Sequence, residues 1–132
     1  MYLVIIGAGR VGNNLVERAL EGGHTAAVIE PDPVLAEECA ERHDVRVLEM
    51  AIGAQTVVAE SHLAEADAVI ATTADDATNL LAMLLAQEAG VERRTSTVNQ
   101  DIHLAIFKRL GVRVLEDPER LIAEHLLNIT ER

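Results

Sequence analysis

Apolar and polar positions along the chain switch repeatedly between two periods. Short apolar or β-branched runs stand near residues 2–6, 25–30, 45–49, 67–72, 94–98 and 112–115. Between them, over about 10–22, 32–43, 54–62, 75–89, 101–110 and 118–129, apolar side chains recur at helical spacing. Runs such as Thr25–Ile29 and Ala68–Ala71 have almost no polar face, as expected of strands covered on both sides. The alternation predicts an α/β chain: a Rossmann-like, doubly wound, six-stranded parallel sheet in three αβα layers. Helix ends agree with this division. Asp32 before Pro33 and Asp117 before Pro118 read as N-caps with proline at the first helical position. Gly22-Gly23, Gly90 and Gly111 each follow a helical period, where C′ glycines belong.

The join between the first strand and the first helix carries the chemistry. It reads Gly7-Ala8-Gly9-Arg10-Val11-Gly12, a G-x-G-x-x-G fingerprint between Tyr2–Ile6 and a helical run over Asn14–Leu20. In such a turn the first glycine bends the chain, the second lets backbone approach a pyrophosphate, and the third packs helix on strand. The phosphate then meets backbone N–H groups at the positive end of the helix. By itself the motif is weak evidence. Here the second strand runs directly into Glu30, where an acid can accept hydrogen bonds from both ribose hydroxyls and repel a 2′-phosphate. Thr72 and Thr73 close the fourth strand, the first of the second half of the sheet, where doubly wound folds place ligands. Asp75 and Asp76 follow at a helix start, where acids suit capping and the dipole.

Length and composition narrow the choice of function. At 132 residues, 49% of them hydrophobic, the chain fits one domain, residues 1–132. A formal net charge of −11 argues against nucleic acid and anionic membrane surfaces as partners. No run reaches the roughly 20 apolar residues of a membrane span, and none reads as a signal peptide. Cys39 is the single cysteine, so no internal disulfide can form, and a cytoplasmic setting and a core role fit it. The histidines at 24, 43, 62, 103 and 125 are dispersed, with no zinc-type spacing, and no metal is expected.

Taken together, these residues resemble the TrkA-N (RCK or KTN) nucleotide-binding domain of potassium-transport regulators, over the whole chain. The resemblance rests on the glycine loop, Glu30-Pro31-Asp32, Ala71-Thr72-Thr73 with Asp76 and Asn79, Thr97-Val98-Asn99, and Ile106 to Val112. It implies a cytoplasmic, non-enzymatic regulatory domain that binds NAD(H) or an adenine nucleotide (ATP, ADP or AMP) and controls a potassium channel or transporter. It carries candidate nucleotide contacts onto Gly7, Ala8, Gly9, Arg10, Val11, Gly12, Glu30, Pro31, Met50, Ala51, Thr72, Thr73, Ala74 and Thr97. It also implies a homodimer or larger homo-oligomer, in which the last helix often crosses to the partner. Two places differ from the family pattern. A loop that commonly reads Gly-Asp-Ala-Ser/Thr is here Met50-Ala51-Ile52-Gly53, and Thr97 stands where an arginine often reaches the phosphates. Arg10, inside the glycine loop, is placed to supply that phosphate contact. The family's C-terminal ligand-binding domain has no counterpart among these residues, as expected of a single-domain member or a fragment.

Two other classes of function compete with this one. An NAD-dependent oxidoreductase would need a substrate domain and an acid or base beside the nicotinamide; Tyr2 and Lys108 are too far apart in sequence for a Tyr-x-x-x-Lys pair. A degenerate domain kept only for assembly would account for the altered loop at Met50–Gly53. In the last helix, Leu121, Ile122, Leu126 and Ile129, with His125, form one apolar stripe after the sheet is complete, which points to a partner surface rather than core.

Overall fold

A computed structural model describes residues 1–132. The strands are β1 (Tyr2–Ile6), β2 (Thr25–Ile29), β3 (Arg46–Leu48), β4 (Ala68–Ala71), β5 (Arg93–Val98) and β6 (Arg113–Glu116). They form one sheet in the order β3-β2-β1-β4-β5-β6, and every neighbouring pair is parallel. The expected doubly wound topology is therefore present, with the order reversing between β1 and β4. That crevice at the carboxyl ends is where such sheets hold ligands.

The helices are α1 (Arg10–Glu21), α2 (Pro33–Arg42), α3 (Val57–Glu60), α4 (Asp76–Glu88), α5 (Leu104–Arg109) and α6 (Pro118–Thr130). Alternate strand residues feed two cores. Leu3, Ile5 and Val28 pack against Val16, Ala19 and Cys39 of α1 and α2. Val4, Ile6, Val69 and Val98 pack against Met83 of α4 and Phe107 of α5. Burial on both faces is what made the strand runs apolar throughout. Cys39 is fully buried, as expected of a small core residue.

Capping follows the chemistry of the sequence. Asp32 accepts hydrogen bonds from the N–H groups of Val34 and Leu35 at 2.9 and 3.2 Å, and Asp117 from that of Arg120 at 3.2 Å. Asp75 accepts from Ala77 and Thr78.

Two expected helices are shorter than their periodicity implied. The helix expected over 54–62 is a single turn, Val57–Glu60. His62 then takes φ of 51°, and a separate 3-10 turn follows at Leu63–Glu65. Thr56-Val57-Val58 is β-branched, a poor helix start, and a left-handed residue ends any helix. The expected 101–110 helix begins as a 3-10 turn, Asp101–His103, before α5. There Asp76, on α4, holds Gln100 N–H and the His103 ring at 3.0 and 2.7 Å, and this fixes the first turn from outside. The last helix matches the expectation closely in extent. None of its residues is buried, and Ile122, Leu126 and Leu127 are more than half exposed.

Candidate functional site

Three loops meet at the carboxyl edge of the sheet: Gly7–Gly9 after β1, Glu30–Asp32 after β2, and Thr72–Asp75 after β4. Gly7 has φ of +105°, a region side chains rarely adopt, and a Cβ there would stand 2.8 Å from Thr72 Oγ1. Gly12 is more constrained. Its Cβ would fall 1.9 Å from the carbonyl oxygen of Gly7, so helix and turn touch backbone to backbone. Gly9 is the opposite case, because a Cβ there would meet no protein atom within 4 Å. The protein does not itself fill the space beside Gly9, which suits close approach by a ligand. Gly9 is also the N-cap of α1 and makes no side-chain cap bond. The first N–H groups of α1 thus face this space without an intrahelical partner, at the positive end of the dipole.

Glu30 is nearly buried, and its carboxylate holds the two adjoining loops together. Oε1 accepts the Ala8 N–H at 2.8 Å and Oε2 accepts the Asp32 N–H at 3.0 Å. A carboxylate offers about four acceptor positions. Each oxygen keeps one for a further donor, which is what a vicinal diol requires.

Two hollows flank this carboxylate, each of about 330 Å³. One lies over the glycine loop and is walled by Gly9, Arg10, Val11, Thr72, Thr73 and Leu35. The other runs towards the β3–α3 loop and is walled by Pro31, Ala51, Ile52, Ala74, Asp75 and Thr78, among others. Gly7, Glu30, Thr73 and Ala74 border both.

Of the sequence candidates, Ala8, Gly12, Met50 and Thr97 line neither hollow, while Thr72 lines one and also makes a structural bond. Ala8 is buried in the core and contributes its N–H to Glu30. Gly12 is buried against the turn. Thr72 donates its hydroxyl to Ile6 O at 2.8 Å and so splices β1 to β4. Met50 packs on the larger core, and neither it nor Thr97 lines either hollow. Thr97 is 8% exposed, and its hydroxyl lies 3.4 Å from Thr73 O and 3.5 Å from Asn79 Nδ2.

In the sequence, Asp76 and Asn79 carried the family resemblance and Asp76 read as a capping acid, but neither read as a support of the β4–α4 turn. Asn79, fully buried, accepts from Thr73 Oγ1 at 2.7 Å and donates to Thr73 O at 2.9 Å. Asp76, expected to cap its own helix, instead accepts from Asn99 N–H, Asn99 Nδ2, Gln100 N–H and His103 Nδ1 at 2.7–3.0 Å. Burial opposes its charge, yet donors from His103, Asn99 and Gln100 win and hold its carboxyl below the usual range. Asp75 is likewise held low, chiefly by the Thr78 hydroxyl and then by backbone N–H groups. An Asp-Asp-x-x-Asn run at a helix start was the available signal for this knot; Ile52, on the cavity wall, lies in the Met50–Gly53 loop that the resemblance matched but was not itself put forward as a contact.

The pattern of the TrkA-N domain matches residues 3–118. The chain belongs to the TrkA-N domain family. It is 31% identical to the "Trk system potassium uptake protein TrkA homolog" of Methanothermobacter thermautotrophicus over 135 residues, an alignment covering 100% of this chain and 61% of that protein. The chain thus spans about three fifths of that relative's length. Among solved structures, the TrkA-N domain of the inner membrane protein ybaL from Escherichia coli superposes with a TM-score of 0.83 at 24% identity. That match covers 97% of this chain and 95% of the other. A GsuK channel bound to NAD superposes with a TM-score of 0.74 at 18% identity, over 86% of this chain and 21% of the channel. These likenesses show the fold. No helix of this TrkA-N chain is long and apolar enough to cross a membrane.

Proposed function

We propose that this TrkA-N domain is a regulatory nucleotide-binding module, cytoplasmic and non-enzymatic, whose occupancy by NAD(H) or an adenine nucleotide controls a potassium channel or transporter. The observation that carries this reading is the pairing of open space at Gly9 with the Glu30 carboxylate, which keeps one acceptor position on each oxygen. Phosphates fit the first side, on the N–H groups opening α1, with Arg10 beside them. The ribose diol fits the second. Thr73, Asp75 and Asn79 are tied to one another and to backbone, an arrangement that shapes a pocket rather than moves a proton. The transport role is supported by the potassium-uptake relative.

A homodimer is part of the same reading. The apolar stripe of α6 has no cover within the chain, and a two-fold pair would bury it against a second copy. The binding test is calorimetric titration with NAD, NADP, ATP, ADP and AMP at one salt concentration. Binding of NAD or an adenine mononucleotide is expected, with NADP weaker than NAD because its 2′-phosphate meets Glu30. If none binds, the module reading fails; if NADP equals NAD, the ribose is not on Glu30.

A further inference from the structure

Asn13, in α1, grips the glycine loop from outside both hollows, and neither Asn13 nor His43 lines them. Its Nδ2 donates to Ala8 O at 2.7 Å and to Gly9 O at 3.0 Å. Its Oδ1 meets His43 Nε2 at 3.1 Å, and His43 caps the end of α2. Two carbonyl partners on one end of the side chain identify that end as the amide nitrogen. The other end is then an oxygen that only accepts, so His43 Nε2 carries the proton. In a trans peptide the C=O and N–H point in opposite directions, and no peptide bond here is cis. Carbonyls of Ala8 and Gly9 turned to Asn13 therefore turn the N–H groups of Gly9 and Arg10 the other way. Gly9 and Arg10 wall the hollow over the glycine loop, and neither N–H has a hydrogen-bond partner in the chain.

On the nucleotide-binding reading above, we propose that Asn13, held in orientation by His43, is a positioning residue for the ligand's phosphates. It touches no ligand; it aims backbone N–H groups that do. Glu30 Oε1 takes the Ala8 N–H while Asn13 takes the Ala8 carbonyl, so groups tied to the β2–α2 unit clamp the turn from both sides. The Gly9 carbonyl also accepts the backbone N–H of Asn13 at 2.9 Å, which holds the Gly9–Arg10 peptide without help from the side chain. The peptide that depends on the Asn13 amide is Ala8–Gly9. Without it that peptide can rotate, the more readily because glycine follows, and the Gly9 N–H loses its aim. Hydrogen bonds weaken steeply as donor and acceptor leave alignment, so the attraction for an anion is lost with the direction. Glu30 keeps its own acceptor positions, and the loss falls on the phosphate-bearing part of the ligand.

The test follows amide NMR spectra of the chain titrated with ADP, NAD and adenosine, the last being the control without phosphate. Asn13→Ala is expected to weaken ADP and NAD by about tenfold or more, the scale of a charge-assisted hydrogen bond, and to leave adenosine within about twofold of the parent. The Gly9 amide signal should move in the ligand-free variant. His43→Ala should share the loss of ADP affinity, and His43→Gln, which keeps a side-chain N–H donor, should recover most of it. An equal loss for adenosine and ADP, ADP held by Asn13→Ala as tightly as by the parent, or His43→Gln no better than His43→Ala each overturn the proposal. If Asn13→Ala does not fold, the two His43 variants read the same contrast between ADP and adenosine. In the overturning outcomes the parent still binds ADP, so the nucleotide-binding reading stands. If the parent binds neither ADP nor NAD, both readings fall together.

Discussion

Two glycines three residues apart separate what the fold needs from what a ligand would need. In Gly12→Ala the new methyl would lie 1.9 Å from Gly7 O and 2.8 Å from Gly7 C, whereas real Cβ atoms essentially never come within 3.0 Å of another heavy atom. Relief requires α1 to move away from the β1 turn by roughly 1 Å. The obstacle is backbone, so no side chain can swing aside. Overpacking a well-filled site costs about 1–3 kcal/mol, and a backbone clash belongs at the upper end, about 3 kcal/mol. An unfolding entropy of about 2.1 cal/mol/K per residue converts this, for a chain of this length, to a Tm lower by about 10 °C. Gly9→Ala meets nothing within 4 Å, and its φ of −74° and ψ of −165° suit any residue. Its Tm should stay within about 2 °C of the parent's, because removing glycine also lowers the entropy of the unfolded chain. Scanning calorimetry of both variants, with and without NAD and ADP, reads the contrast. Gly9→Ala should keep its melting point and lose the shift that a ligand brings to the parent. Equal destabilisation of the two variants would refute the division of labour, as would a Gly12→Ala protein melting within about 3 °C of the parent.

Three further outcomes are expected. Arg10→Ala should weaken ATP and ADP more than AMP by about 1.5–3 kcal/mol, the worth of a charge-assisted contact, and titration giving a uniform loss would mean that Arg10 only shapes the loop. Asp76→Asn should lower stability at neutral pH by about 2 kcal/mol, since an amide accepts fewer of the donors from Asn99, Gln100 and His103. Because the folded-state pKa of Asp76 lies below its unfolded value, its contribution is present above the unfolded pKa and is lost as pH falls through the folded one. Denaturant melts of parent and variant should therefore converge below about pH 4, and a gap that widens in acid would contradict the assignment. Leu126→Asp should abolish self-association seen by sedimentation, and association of the parent should strengthen with salt because a net charge of −11 opposes it. A parent monomeric at every salt and concentration would remove α6 as an interface.

The parts legible in the sequence were those set by local rules. β1, the glycine turn, α1, and β2 ending at Glu30 follow from apolar period, turn chemistry and capping, each read within a few residues. Asp32, Asp75 and Asp117 cap where expected for the same reason. What escaped was decided by distant partners. Asp76 looked like an ordinary first-turn acid, but the loop after β5 brings it four donors. Thr97 entered the site through the family resemblance, where an arginine often reaches the phosphates, yet Asn79 and Thr73 draw it behind the wall. The segment at 54–62 had the spacing of a helix, but most of it only carries the chain across to β4.

The exposure of α6 has a consequence for its own order. Helices of about 12–15 residues are marginal in water without tertiary packing, and the 13 residues of α6 bury none of their side chains in the chain that makes them. Asp117 and Pro118 start the helix and a weak Arg120–Glu124 pair props one turn, but neither offsets the cost of ordering the rest. Winding of this segment and meeting a second surface are then one equilibrium. Dilution should unwind the C-terminus while the sheet stays intact, so the helical signal of the last 13 residues measures how much company the molecule has.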